Sequence, residues 1–212
     1  MKILVTGGNG KFAQALKNQN PDLYYTPGKS ELNLLDVNSI LNFYNKNRDI
    51  DGILLNATMY PSNFYQFDDF FDENIINNFI NSFKLVAIGN QQLINLYKDK
   101  VKFVINISSG ATYKKKPYGD HFGYKLVKTI SNFVLEEYSV NKQKIYDNIK
   151  FIIFNPSHME TLEQYESQAK LLFSIVKNIN ECKTGYEYYP YKDGISDIND
   201  THFIKLYDTH AN

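Results

Sequence analysis

The sequence predicts an α/β fold in which a doubly wound parallel sheet carries helices on both faces. Three observations lead there. Short apolar runs of β type alternate with longer stretches of helical period. Two of those runs, Phe103-Val104-Ile105-Asn106-Ile107 and Phe151-Ile152-Ile153-Phe154, are apolar nearly throughout, as strands covered on both sides must be. A glycine-rich turn follows the first run directly and opens the first helical stretch. With 212 residues and 43% hydrophobic content, the chain is long enough for one well-buried domain and short for two, so residues 1–212 are read as one unit.

In chain order, Ile3–Val5 forms the first strand and residues 12–18 the first helix. Leu23–Thr26 is the second strand, and residues 37–47 form a helix whose natural N-cap is Asp36. Gly52–Asn56 is the third strand, followed by a long helical region over 72–98. Val101–Ser108, a helix over 122–142, Lys150–Asn155 and a helix over 161–179 continue the rhythm. From Gly185 to Asn212 aromatic residues mix with Asp, Gly and Pro, which reads as at most one last strand and a tail.

Composition removes several function classes. Net charge is zero and Arg48 is the only arginine, so neither a basic footprint nor guanidinium forks exist for nucleic acid. His121, His158, His202 and His210 are scattered and Cys182 has no thiol companion, which argues against a metal site and a disulfide framework and suits a reducing, cytoplasmic setting. The apolar start, Met1 to Val5, runs straight into the glycine turn without a signal-peptide core, and no apolar run reaches the length of about 20 residues needed to span a bilayer. No membrane partner is expected.

The turn reads Thr6-Gly7-Gly8-Asn9-Gly10-Lys11-Phe12-Ala13, with the spacing Gly-x-x-Gly-x-x-Ala from Gly7 through Gly10 to Ala13. Side chains at Gly7 or Gly10 would obstruct a tight turn or the approach of a pyrophosphate, while exposed amides and the positive helix end attract its charge. Ala13 permits close packing of helix on sheet. Thr6, Gly7, Asn9, Gly10, Lys11 and Phe12 are therefore candidate dinucleotide contacts in a Rossmann-like domain. An NAD-preferring site places an acid at the end of the second strand, against the ribose 2′-OH. Here Lys29 and Ser30 stand there instead, which favours NADP(H), with Glu31 near enough to keep NAD(H) open. Asn33 and Leu34 can border the adenine.

Further along, a buried strand ends in Ser108-Ser109-Gly110, and the next helix carries Tyr124 and Lys128 four positions apart on one face. A phenol with an ordinary pKa of about 10 becomes a usable acid/base when a neighbouring ammonium and an oxidised nicotinamide stabilise its anion. A Tyr-x-x-x-Lys pair arises readily in a chain with 17 tyrosines, so the order of features carries the weight: glycine turn, strand ending in Ser-Ser, then Tyr and Lys.

From Met1 to about Thr161 these features resemble the short-chain dehydrogenase/reductase family. The resemblance implies that Ser109, with Ser108 as runner-up, polarises the substrate oxygen, that Tyr124 exchanges its proton, and that Lys128 holds the nicotinamide ribose. It further implies that Asn81, with Asn77 and Asn78 close by, supports a proton-relay water. Asn56-Ala57 matches the family's turn after the third strand, with Thr58 replacing its glycine, and the segment from Pro156 to Thr161 matches the loop along the nicotinamide, with Ser157 replacing its glycine. The implied activity is hydride transfer between NADP(H) and a small carbonyl or alcohol in a homodimer or homotetramer. Two alternatives stand beside it. One is a catalytically silent NADP(H)-binding sensor or scaffold. The other is a sugar-nucleotide reductase or epimerase, suggested by the glycine spacing and by Lys114-Lys115-Lys116, although the chain is short for the substrate region of that branch. The lysine run otherwise reads as a solvated turn, and the aromatics Phe64, Tyr65, Phe67, Phe70 and Phe71 as packing.

Overall fold

A computed structural model describes residues 1–59, 72–109, 112, 123–139, 146, 148–156 and 159–182, and the backbone alone at 122, 140, 186–190 and 201–205. Seven strands form one sheet in the order β2-β1-β3-β4-β5-β6-β7: β1 Ile3–Val5, β2 Tyr24–Tyr25, β3 Gly52–Leu55, β4 Phe103–Ile107, β5 Lys150–Phe154, β6 Tyr186–Pro190 and β7 Thr201–Lys205. Neighbouring strands run parallel except for the β6–β7 pair, which is antiparallel. The helices are α1 Lys11–Gln19, α2 Val37–Lys46, α3 Glu73–Phe83, α4 Asn90–Tyr97, α5 Phe122–Val140 and α6 Leu162–Lys177. This is the doubly wound sheet that the alternation of runs predicts.

Strand alternation sorts the side chains into two cores. Leu4, Ile53, Val104, Phe151 and Ile153 face Ile40 and Phe43 of α2, Leu93 and Tyr97 of α4, and Val127 and Leu135 of α5. Their strand neighbours Ile3, Leu54, Phe103, Ile105, Ile152 and Phe154 face Phe12 and Leu16 of α1 and Leu172, Ile175 and Val176 of α6. Both sides being covered is why these strands read as unbroken apolar runs. Gly52 is paired with Phe103, and a Cβ on Gly52 would lie 2.2 Å from the Phe103 ring, so the missing side chain makes room for that ring.

Four features differ from the sequence expectation. β2 holds only Tyr24 and Tyr25, because the chain beyond Thr26 turns to give the Pro27 carbonyl to the Gly8 amide, 3.0 Å away. β4 starts at Phe103, since the Val101 amide is taken by Tyr97 in the turn that ends α4. The long helical region is interrupted: a π-helical segment, Lys84–Gly89, separates α3 from α4. The carboxyl-terminal stretch supplies two strands where one was expected. At the start of β5, the Lys150 ammonium donates to the carbonyls of Ile179 and Cys182, both 2.8 Å away, and also to Asn180, tying down the turn that follows α6.

The order of the strands fixes where a ligand can sit. The chain leaves β1 toward β2 and leaves β3 toward β4, so a crevice opens between the carboxyl ends of β1 and β3. The glycine turn follows the first of these strands and Asn56-Ala57 follows the second.

Candidate active site

Thr6 joins the two strand ends. Fully buried, its hydroxyl accepts from the amides of Asn56, at 3.0 Å, and Ala57, at 2.9 Å, while the Asn56 side-chain amide donates to the Thr6 carbonyl at 3.0 Å. Thr6 thus works beneath the crevice and does not line it, unlike the contact expected from sequence. Gly7 follows with φ of 72°, a left-handed conformation that favours glycine, and a Cβ there would come within 2.9 Å of the Ala57 backbone. The tightest position of the turn is Gly8, which the glycine spacing leaves out: its Cβ would lie 2.2 Å from the Thr26 carbonyl oxygen. Gly10 is less crowded, its Cβ coming 3.2 Å from the Gly7 carbonyl oxygen of the same turn.

The first turn of α1 is bare. Its N-cap, Gly10, offers no side chain to the free amides, and no acid stands in the turn. By contrast, α2 is capped by Asp36, α3 by Asp72 and α6 by Thr161. Unclaimed amides and the positive end of the α1 dipole therefore face the crevice, which suits an anion such as a diphosphate.

The crevice is a cleft of about 410 Å³. Of the residues expected to touch a dinucleotide, Gly7, Asn9, Gly10, Lys11 and Phe12 line it from the turn, Lys29, Asn33 and Leu34 from beyond β2, and Asn56 and Ala57 from β3. Sequence reasoning missed Gly8, Leu32, Leu35, Thr58, Met59, Leu85 and Tyr165. Met59 is held by Ser82 of α3, whose hydroxyl donates to its carbonyl at 2.9 Å. Leu85 belongs to the π segment, where Gly89 also packs so closely on the loop before α2 that a Cβ would lie 2.1 Å from the Leu34 oxygen. Ser30 lies outside this cleft, in a separate groove with Tyr25, Glu31 and Asp36. There the Tyr25 hydroxyl donates to the Glu31 carboxylate; burial and that carboxylate push the phenol up to about 12. Among the described residues no carboxylate lines the cleft.

Ser109, Tyr124 and Lys128 converge beyond the carboxyl end of β4. The Tyr124 phenol hydrogen-bonds to the Ser109 side chain. The buried Lys128 ammonium donates to the Ile107 carbonyl at 2.6 Å and sits 5.9 Å from the centre of the Tyr124 ring. Burial pulls the Lys128 pKa down to about 8. The Tyr124 pKa is raised, chiefly by burial and also by the charge of Tyr165, with the Ser109 hydrogen bond acting in the opposite sense. Among the chain's own groups, loss of solvent outweighs the one favourable contact; the lowering expected from sequence also invokes an oxidised nicotinamide. A buried polar set registers the helix on its strand: the Asn106 side-chain amide donates to Asn132 at 2.7 Å and accepts from Ser131 at 2.8 Å. The buried Ser108 hydroxyl has no hydrogen-bond partner among the described residues, and the serine that meets Tyr124 is Ser109.

Other expected site residues take different places. Asn81 is half-buried near the end of α3, and among the described residues no hydrogen bond joins it to Lys128. Pro156 is buried after β5. Thr161 is spent as a helix cap, its hydroxyl accepting from the Gln164 amide while Gln164 reaches back to the Thr161 amide at 3.0 Å. Lys114-Lys115-Lys116, the aromatics from Phe64 to Phe71, Gly110 and Ser157 lie outside the described residues. Those described contain no cluster of three metal-ligating side chains and no helix long and apolar enough to cross a membrane.

No protein-family model and no curated protein matches the sequence. Solved structures do match the fold. A short chain dehydrogenase/reductase family protein superposes with a TM-score of 0.69 at 16% identity, over 89% of this chain and 94% of that one. An oxidoreductase of the same family from Brucella ovis, in complex with a partially ordered NAD, gives 0.64 at 14% identity, over 89% and 98%. An alcohol dehydrogenase from the archaeon Thermococcus sibiricus, complexed with 5-hydroxy-NADP, gives 0.66 at 13% identity, over 89% and 95%. The chain has the fold of the short-chain dehydrogenases/reductases.

Proposed function

We propose that this protein is an NADP(H)-dependent oxidoreductase of the short-chain dehydrogenase/reductase family that interconverts a small carbonyl compound and an alcohol. The observation that carries the proposal is the meeting of Ser109, Tyr124 and Lys128 at the end of β4, the strand next to β3, whose end forms one wall of the glycine-turn cleft. Packing alone requires no such set.

The cleft residues fit a dinucleotide. Bare α1 amides suit its diphosphate, and Leu32, Leu34, Met59 and Leu85 offer apolar walls to an adenine. Lys29 in the lining, with Glu31 turned toward Tyr25, supports NADP(H) over NAD(H). When bound, the nicotinamide supplies or accepts the hydride. Ser109 orients the substrate oxygen and Tyr124, held protonated by burial, donates its proton to that oxygen in the reducing direction. Lys128 supplies positive charge beneath the Tyr124 ring and holds the ribose. Exposed Ile80 and Phe83 on α3 and Phe133 on α5 support association into a homodimer or homotetramer. The single cysteine of the chain, the buried Cys182, accords with a cytoplasmic setting.

Tyr124→Phe tests the chemistry. It is expected to retain folding and NADPH affinity while lowering turnover by about 10²–10⁴-fold on a substrate found by screening aldehydes, ketones and sugar nucleotides for NADPH oxidation. Full activity in that variant would remove Tyr124 as the proton donor. NADPH binding without turnover of any screened compound would favour the silent sensor.

A further inference from the structure

Tyr165 is absent from the sequence-based site, yet it is the side chain through which α6 reaches the cleft. Its place is built in. The Thr161 and Gln164 capping box fixes the first turn of α6, the Tyr165 amide bonds to the Thr161 carbonyl at 3.2 Å, and the body of the ring packs on the core shared by α1 and α6. The Lys11 ammonium lies 5.9 Å from the centre of that ring, within the range of a cation–π contact.

Lys11 is an odd residue to find where it stands. It occupies the first position of α1, where a positive charge opposes the helix dipole, and the first turn holds no acid to offset it. Among the described residues no carboxylate pairs with it. An exposed ammonium, the bare amides of the turn and the dipole all place positive potential on one wall of the cleft.

We propose that Lys11 and Tyr165 form a clasp between α1 and α6, in which the Tyr165 ring positions the Lys11 ammonium on the diphosphate of a bound dinucleotide. The inference rests on the dinucleotide reading of the cleft. Tyr165 is a positioning residue here, since it acts through Lys11. The ring is what matters to the clasp, whereas the Tyr165 hydroxyl is the part whose charge bears on Tyr124.

The test is a double-mutant cycle read by titration with NADPH, ADP and adenosine at low and high salt, on proteins whose thermal melts match the wild type. Lys11→Met is expected to weaken NADPH and ADP by about fivefold at low salt and to leave adenosine, which has no phosphate, unchanged. Tyr165→Leu is expected to cost about two- to fivefold, the range of an exposed cation–π contact. Tyr165→Phe keeps the ring and should bind as the wild type does. The double variant Lys11→Met/Tyr165→Leu should bind no worse than Lys11→Met alone. Additive losses, an equal loss for adenosine, or a Tyr165→Phe defect as large as that of Tyr165→Leu would overturn the clasp. Wild-type protein that binds ADP in a Lys11-dependent way but neither NADPH nor NADH would sink the oxidoreductase proposal and keep the clasp. Binding of none of the probes would sink both.

Discussion

Lys128→Met is expected to stabilise the free protein at neutral pH while removing its activity. The Lys128 side chain is buried between α5 and the end of β4, and desolvation lowers its pKa from 10.5 to about 8. At about 1.4 kcal/mol per pH unit, the charged form is disfavoured by about 3 kcal/mol relative to the unfolded chain at pH 7. Methionine has a similar length without the charge. It also forfeits the 2.6 Å hydrogen bond and leaves the Ile107 carbonyl unpaired, a loss of about 1–2 kcal/mol. The net gain is about 1–2 kcal/mol, or about 2–8 °C in Tm for a chain of this size. Between pH 8 and 10.5 the unfolded chain keeps a proton at Lys128 that the folded chain has released, so wild-type stability rises across that window, and below it the penalty is present in full. The advantage of methionine must therefore shrink as pH rises through the same window. Thermal melts of both proteins at pH 7, 9 and 10.5, with NADPH titration and turnover alongside, measure it. A variant less stable than the wild type at pH 7, or a Tm difference that stays constant with pH, would refute the reasoning.

Gly8→Ala is expected to unfold the protein or cost more than about 3 kcal/mol, because its Cβ would meet the Thr26 backbone at 2.2 Å; Gly10→Ala, with 3.2 Å to the Gly7 carbonyl oxygen, should cost less than Gly8→Ala and bind NADPH more weakly than the wild type. Melts and cofactor titrations separate the two. Thr161→Ala should lower stability by about 1 kcal/mol through loss of the α6 cap and, by loosening the turn that places Tyr165, weaken NADPH by no more than Tyr165→Leu does; a larger affinity loss at unchanged Tm would instead put Thr161 on the cofactor. Lys29→Ala should narrow the preference for NADPH over NADH, measured as the ratio of their dissociation constants, and an unchanged ratio would remove Lys29 as the 2′-phosphate contact.

Much of the fold was legible because it rests on local periodicity. The apolar runs of β1, β3, β4 and β5 and the Asp36 cap of α2 are set by residues adjacent in sequence, and each lies where the pattern puts it, within a residue or two at the ends. The glycine turn was likewise legible, since its position after β1 needs only strand, turn and helix in succession. The order of Ser109, Tyr124 and Lys128 could be read as well, but their meeting could not: it depends on Asn106, Ser131 and Asn132 holding α5 in register on β4.

What the tertiary structure alone decided are the contacts between distant segments. Gly8 reads as a spacer until the chain after β2 crosses over it, and nothing in the sequence pattern joins the Tyr25 hydroxyl to the Glu31 carboxylate. The π segment is invisible to a pattern of helical period, because one extra residue per turn shifts faces without changing composition, yet it belongs to the stretch that brings Leu85 to the cleft and Gly89 onto Leu34. Tyr165 lies about 150 residues beyond the glycine turn, and only the packing of α6 beside α1 places its ring near Lys11. Periodicity reports which face of an element is buried; which residues of two buried or half-buried faces touch depends on the register between elements, and that is a property of the assembled sheet.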